Sequence, residues 1–593
     1  MARRDSIMTK PKDSKGAFRR LLRFLGPFRY MILFVALLSV LSNFLSLLGP
    51  NLAGSAINEV AAGKGQVNFD RVYAYAIRML LCYVSSSVLS MVISVTMLRI
   101  SKRFAFHLRQ QVFEKLMRLP VGFFDRNPAG DIISRVSYDI DVISTCMATD
   151  IVSILTSIVM VIGSLFMMIS ISLPLSAVAL ITVPTSILYT ARMRKLTQPR
   201  FVRRSKNYGI MNGFVEEMLS GQKTILAYAH EDAVDERFDT INQNAAEAYY
   251  DADSLGVTIG PTMGFINNIG LSLIAFFGSI LYLYRLISLG SISSFVLYSR
   301  KFSGPINEIA SIINELFSAL AAAERVFSLL DEEEEPTDLP GALSPETIRG
   351  DVRLNHVVFG YTDSETIIHN LSLTAPAGRL IAIVGPTGAG KTTIINLLMR
   401  FYDVRAGEIQ VDNNDIRTLA RHSLRSAYEM VLQDTWVFRG TIFENIAYGK
   451  ENATLEEVIR AAKAAHIHPF IMRLPDGYET VISEDGGNIS KGQKQLLTIA
   501  RAMLSSHYDN SNMLILDEAT SNVDTSTERA IQTAMREMMQ DKTCFVIAHR
   551  LSTIQSADLI LVLNHGDVVE QGAHASLMAA KGFYYSLYRA QFE

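Results

Sequence analysis

The chain has 593 residues, 49% of them apolar and 19% charged, with a net charge of −2 and a mean hydropathy of +0.21. That length exceeds what one hydrophobic core organises. The hydropathy is high for a soluble protein and fits a chain partly in lipid, and the near-neutral charge removes the bulk electrostatic case for a nucleic-acid partner.

From the N-terminus, basic residues lead into five clear apolar runs. These centre on "MILFVALLSVLSNFLSLL", "AYAIRMLLCYVSSSVLSMVISV", "IVSILTSIVMVIGSLFMMIS", "LSAVALITVPTSILY" and "IGPTMGFINNIGLSLIAFFGSILYLY". Each approaches the ~20 residues a helix needs to cross a bilayer. A weaker sixth run, about 291–320, contains Arg300 and Lys301. The third and fourth runs are split only by "ISLP", which predicts a tight hairpin at Pro174. Lysines and arginines crowd the N-terminal segment and the stretches between runs two and three and between four and five, while the opposite loops have little beyond Lys64, Arg71 and Arg285. The positive-inside rule then puts the N-terminus in the cytoplasm, and six crossings return the second half there. The first run is too long for a cleaved signal peptide and lacks a convincing small-residue cleavage site. "RISKRFAFHLRQQVFEKLMRLP" keeps helical spacing and extends run two well beyond the bilayer. A cytoplasmic turn is expected at "GFFDRNPAGD" and another near Gly221. Phe123 and Phe124 are either core residues or a knob that docks on the second half.

At "LLDEEEEPTDLPGALSPETIRGD" the pattern changes to an acidic, proline-bearing linker, expected to be solvated and assigned no site. Beyond it, short β-rich runs ("VRLNHVVFGY", "LIAIVG", "MLILDE", "TCFVIAH", "LILVLNHGDVVEQG") alternate with helical ones, the pattern of an α/β domain. The three cysteines, Cys82, Cys146 and Cys544, are far apart and show neither a disulfide framework nor zinc spacing, so ordinary buried thiols are expected.

"IAIVGPTGAGKTTIINLL" carries the first chemistry: a β-run, then G-x-x-x-x-G-K-T, then a helix. Gly385, Gly388 and Gly390, with Pro386, Thr387 and Ala389 between them, let backbone N–H groups curl around phosphates. Lys391 reaches the β/γ oxygens, the Thr392 hydroxyl suits Mg2+, and Thr393 completes the loop. "MLILDEAT" supplies the partner, a buried strand ending in Asp517, placed to hold Mg2+ through water, and Glu518, placed to polarise an attacking water. In "GGNISKGQKQLLTIARAML", Ser490, Lys491, Gly492 and Gln493 open a helix, whose unpaired N–H groups make an anion site.

Together, the P-loop, "NISKGQ" and "LILDEATSNVD" resemble an ATP-binding-cassette (ABC) transporter, and six spans ahead of one cassette resemble a half-transporter of the exporter type, over nearly the whole chain. The resemblance implies a multidomain membrane protein. It would have a cytoplasmic segment (1–28), an all-α six-helix transmembrane domain with long cytoplasmic extensions (29–330), a linker (331–350) and an α/β P-loop nucleotide-binding domain (351–593). It implies ATP and Mg2+ as cofactors. It gives Tyr361 the role of stacking on adenine, Gln433 that of contacting Mg2+ and the attacking water, and His549 that of contacting the γ-phosphate. Ser521 and Asp524 match the loop that crosses the dimer interface, although Asn522 and Val523 depart mildly from the usual alanine and leucine. "ISKGQ" occupies the signature position, usually Leu-Ser-Gly-Gly-Gln, which caps ATP held by the partner cassette. Lys491 departs from the glycine there, so the site it completes is expected to hydrolyse poorly. That favours a second, non-identical half-transporter, as in the asymmetric bacterial exporters.

The expected function is ATP-driven export of amphipathic or hydrophobic substrates from the cytoplasmic side of the cell membrane. Multidrug, lipid-flippase and peptide-export variants remain open, as does an ATP-gated regulator or channel on the same fold. A soluble cassette ATPase acting on DNA or ribosomes is opposed by the membrane half. Asn267, Asn268 and Arg300 are candidate cavity residues, although Asn267 and Asn268 also suit helix–helix hydrogen bonds and a basic side chain on span six also suits a structural pair.

Overall fold

The computed structural model describes residues 13–592 except 62, 64, 346, 433–434, 484–486, 510, 518–524 and 549. They form two compact units, one of residues 13–117 with 129–332 and the other of 118–128 with 333–592.

The first unit is helical. Spans one and two are single helices, Arg29–Val60 and Phe69–Leu116. Span three runs from Ala129 to Ile171, with π-helical turns at Arg135–Asp139 and Cys146–Asp150. Ser172 alone separates it from span four, Leu173–Ser220, and the Ser172 hydroxyl accepts from Leu175 N–H, so the expected hairpin is one residue long. Spans five and six are Glu231–Leu283 and Leu289–Leu330. Among the described residues, spans one, two, three and five are apolar and long enough to cross a membrane by length and composition alone. Helices of 48 and 53 residues extend about 70–80 Å, far beyond a ~30 Å hydrocarbon layer. Arg203–Asp251 and Arg204–Asp253 pair on the long extensions of spans four and five.

Span six is stitched to span one at about one-turn intervals along span six. Gly290 N–H donates to Asn58 Oδ1 (2.7 Å), Ser294 Oγ to the Pro50 carbonyl (2.8 Å), Tyr298 OH to the Leu47 carbonyl (2.6 Å) and Lys301 Nζ to Ser46 Oγ (2.6 Å). At the Gly290 end the backbones nearly touch, since a Cβ on Gly290 would lie 1.9 Å from the Gly54 carbonyl oxygen. Such hydrogen bonds and small residues substitute for a hydrophobic driving force that lipid cannot supply between helices.

In the second unit, β1 (Val352–Phe359), β2 (Ile368–Ala375), β4 (Ala406–Val411) and β5 (Asn414–Asp415) form an antiparallel sheet in the order β2-β1-β4-β5. A second sheet contains β3 (Leu380–Val384), β6 (Tyr428–Val431), β9 (Met513–Asp517), β10 (Thr543–Ile547), β11 (Leu559–Asn564) and β12 (Asp567–Gly572), in the order β12-β11-β3-β10-β9-β6. Its strands pair in parallel except β12, which is antiparallel on the edge. A two-stranded pair joins β7 (Gly440–Thr441) to β8 (Val481–Ile482). β3, β9 and β10 are continuous apolar runs, as strands covered on both faces require.

The acidic linker is largely exposed, as expected, but two of its carboxylates are engaged. Glu335 pairs with Arg425 and Asp338 with Arg421, whose side chain is almost wholly buried. A buried guanidinium requires counter-charge, and the linker provides it. The Asp412 carboxylate then accepts the N–H groups of Arg349, Gly350 and Asp351.

Candidate functional site

Parallel register assembles the site at one edge of the larger sheet. Ile547 of β10 lies opposite Ile383 of β3 on one side and Asp517 of β9 on the other. The loop after β3 and the carboxylate ending β9 therefore emerge together at the carboxyl ends of their strands, where open α/β sheets bind ligands.

The loop 385–390 leads into the helix Lys391–Leu398. A Cβ on Gly385 would lie 2.4 Å from the Leu563 carbonyl oxygen, and Gly390, the residue before the helix, has φ +98°. Neither close approach nor left-handed backbone suits another residue. Lys391 Nζ donates to the carbonyls of Gly385 (2.8 Å) and Pro386 (2.9 Å), folding the ammonium back over the loop. Burial lowers the pKa of this ammonium, and the charge of Asp517 works against that shift. A cation, an oriented helix N-terminus and a nearby carboxylate are the donor and acceptor set for a nucleotide phosphate and a divalent metal. Thr392 is exposed beside them, whereas Thr393 is buried and accepts a hydrogen bond from Tyr361 OH (3.2 Å).

Tyr361 belongs to an aromatic group. Its ring centre is 5.1 Å from both Phe359 and Tyr402, in edge-to-face geometry, and Asn396 Nδ2 donates to its hydroxyl (3.1 Å). The helix Val121–Arg126 reaches the same group. Tyr402 OH donates to Asp125, and Gly122 packs so closely that a Cβ there would be 2.9 Å from the Tyr402 ring. Burial and the Asp125 hydrogen bond hold the Tyr402 phenol above its ordinary pKa. Tyr402 and Asp125 were not legible from sequence, because neither falls in a motif. The expected turn at "GFFDRN" contains a short helix, in which Phe123 is buried and Phe124 is 42% exposed.

The signature segment begins the helix Lys491–Asp509. Ser490 N–H donates to Gln493 Oε1 (2.8 Å), and Gln493 N–H donates to Ser490 Oγ (3.2 Å). This reciprocal cap fixes the first turn. Lys491 opens the helix exposed, and Gly492 is buried behind it. Gln433, Glu518, Ser521, Asp524 and His549 lie outside the described residues. Of the cavity candidates, Asn267 is half-buried and Asn268 exposed on span five, and Arg300 is exposed on span six. Among the described residues no side-chain hydrogen bond joins them.

Gly385→Ala should weaken ATP binding about tenfold or more, equivalent to ~1.4 kcal/mol, because the added methyl forces the loop off the Leu563 carbonyl. Fluorescent-nucleotide titration checks this, with circular dichroism confirming an unchanged helix content.

A family model described as "ABC transporter transmembrane region" matches residues 32–306, and one described as "ABC transporter" matches 368–521. The chain is 40% identical over 584 residues to the uncharacterized ABC transporter ATP-binding protein YfiC of Bacillus subtilis, covering 98% of this chain and 96% of that protein. It is 44% identical over 516 residues to a fatty acid ABC transporter ATP-binding/permease protein of Mycobacterium bovis, covering 87% and 80% respectively. The structure of a bacterial Atm1-family ABC exporter with ATP bound superposes with a TM-score of 0.76 at 28% identity, over 95% of this chain and 98% of that one.

Proposed function

This chain belongs to the ABC transporter family, as an ATP-hydrolysing exporter half-transporter that functions as a dimer, and from that premise we propose that it exports amphipathic or hydrophobic molecules across the cytoplasmic membrane by alternating access. The observation that carries this reading is the union in one chain of a long-helix membrane unit and a P-loop in which Lys391 lies over Gly385 and Pro386 beside Asp517. Because the Mycobacterium bovis relative is a fatty acid transporter, a lipid-like amphiphile is placed ahead of drugs and peptides as cargo. ATP-dependent accumulation of a fluorescent fatty acid in proteoliposomes tests the reading. Hydrolysis without movement of any amphiphile would overturn it, and ATP-gated ionic current would point to a channel.

The residues suit ATP with Mg2+. Bound Mg2+ would offset phosphate charge, with Thr392, Gln433 and Asp517 as its proposed holders. Lys391 would bind the β/γ oxygens, Tyr361 would stack on adenine, Glu518 would orient and deprotonate water, and His549 would fix the γ-phosphate. Ser490, Lys491, Gly492 and Gln493 would face ATP on the partner, and Ser521 and Asp524 would lie at the dimer interface. The partner is proposed to be a non-identical half-transporter, on the strength of Lys491.

The proposed orientation places both the N-terminus and the cassette in the cytoplasm. With Cys82 replaced by serine, a cysteine at Gln66 should react with impermeant maleimide on intact cells. One at Gly130 should react only after permeabilisation. Both positions are exposed, and Gly130 has open space for a side chain. The reverse pattern would overturn the orientation.

A further inference from the structure

Spans one, two and six meet at Lys301, a cation with no counter-charge among the described residues. Lys301 lies 12 residues into span six, about 18 Å from its start. Ser46, its neighbour on span one, lies 14 residues before the end of that helix, about 21 Å along it. Lys301 is half-buried. Its Nζ donates to Ser46 Oγ at 2.6 Å, and the centre of the Tyr83 ring is 5.9 Å away. Among the described residues no carboxylate pairs with it. An ammonium has three donors and no acceptor, and one hydroxyl satisfies one of them.

The surroundings add a second unfilled donor. Asn43 lies one turn from Ser46 along span one, at 5% exposure, and its Nδ2 has no hydrogen-bond partner among the described residues. Positions 43 and 46 share a helix face. Pro50 has no N–H to give the Ser46 carbonyl one turn before it, so the helix is loosened at this level. Tyr83 is held in place by Gly49, where a Cβ would lie 2.2 Å from its hydroxyl. The nearby serines Ser42, Ser86 and Ser90 are hydrogen-bonded among themselves. Donors therefore exceed acceptors at Lys301 and Asn43, in a setting where ionisable groups normally pair or serve function.

We propose that Lys301, with Asn43, Ser46 and Tyr83, forms an anion site within the membrane unit that takes the acidic headgroup, carboxylate or phosphate, of an amphiphilic cargo. This rests on the reading that the chain exports amphiphiles. The ammonium and the Asn43 amide supply the charge-assisted and neutral donors, while the apolar walls of the spans take the alkyl chain.

The test uses the full transporter with its partner in nanodiscs. ATP turnover and melting temperature are followed against dodecanoate, dodecyl phosphate, dodecanol and inorganic phosphate. Both acids should raise turnover and melting temperature at concentrations at least tenfold below dodecanol, and inorganic phosphate should do neither. Lys301→Gln should remove that preference while the dodecanol response persists, and Lys301→Arg should keep most of it. Equal potency of acid and alcohol, or an unchanged acid preference in Lys301→Gln, would overturn the site. So would Lys301-dependent binding of inorganic phosphate without a response to acidic amphiphiles. Should Lys301→Gln fail to fold, Asn43→Leu replaces it, with a partial loss of acid preference expected and an unchanged preference overturning the proposal. Failure of the export reading looks different, because then no amphiphile, acidic or neutral, alters ATP turnover.

Discussion

Glu518→Gln should leave ATP binding intact and slow hydrolysis by at least about a hundredfold, the lower end of what a positioned general base contributes. Glutamine keeps the size and hydrogen-bonding reach of glutamate but accepts no proton. Glu518 directly follows Asp517 in sequence, and the Asp517 strand ends at the same sheet edge as the phosphate loop; Glu518 is proposed on that ground as the base for a water attacking a phosphate held there. Lys391→Ala makes the contrast. Its ammonium is aimed over the loop by the Gly385 and Pro386 carbonyls. Removing it deletes a charge-assisted contact of ~1.5–3 kcal/mol and should weaken nucleotide affinity about 10- to 100-fold. Equilibrium binding of a fluorescent ATP analogue and steady-state phosphate release, both with the correct partner present, separate the two variants. Near-normal turnover in Glu518→Gln would remove Glu518 from the catalytic role.

What could be read from the residues follows from how local each feature is. The spans were legible because a bilayer demands long apolar runs, and β3, β9 and β10 because buried parallel strands are continuous apolar segments. The phosphate loop was legible because its glycines, lysine and threonine are contiguous. The antiparallel sheet escaped notice, since β2, β4 and β5 alternate or are only two residues long. The linker's exposure was legible, but its ion pairs were not, because Arg421 and Arg425 are distant in sequence from Glu335 and Asp338. The contact between Asp125 and Tyr402 joins positions 277 residues apart, and no periodicity encodes such a pair. Lys301 was visible as an intramembrane charge, but that no described carboxylate pairs with it is a property of three packed spans.

The chain expressed alone should hydrolyse ATP poorly, and Lys491→Gly should raise that turnover about tenfold or more. The Ser490–Gln493 cap already ties the first turn of the signature helix, so the lysine does not disorder the backbone. It instead adds an exposed cationic side chain at the first helical position, where a partner's γ-phosphate would need close backbone approach. Glycine permits that approach and lysine obstructs it. A point charge also holds a phosphate without aligning it for attack. Every ATP site of a homodimer would face such a lysine, although this chain retains Tyr361, Lys391, Gln433, Asp517, Glu518 and His549. Pairing with a different half-transporter resolves the mismatch. The partner's intact signature would complete the competent site here, and the site facing Lys491 would need no catalytic glutamate from the partner. Purification from the native source should then yield a second, non-identical half-transporter, with ATP remaining occluded at one of two sites during turnover. Robust ATPase and transport by the chain alone, unchanged by Lys491→Gly, would establish a homodimer instead.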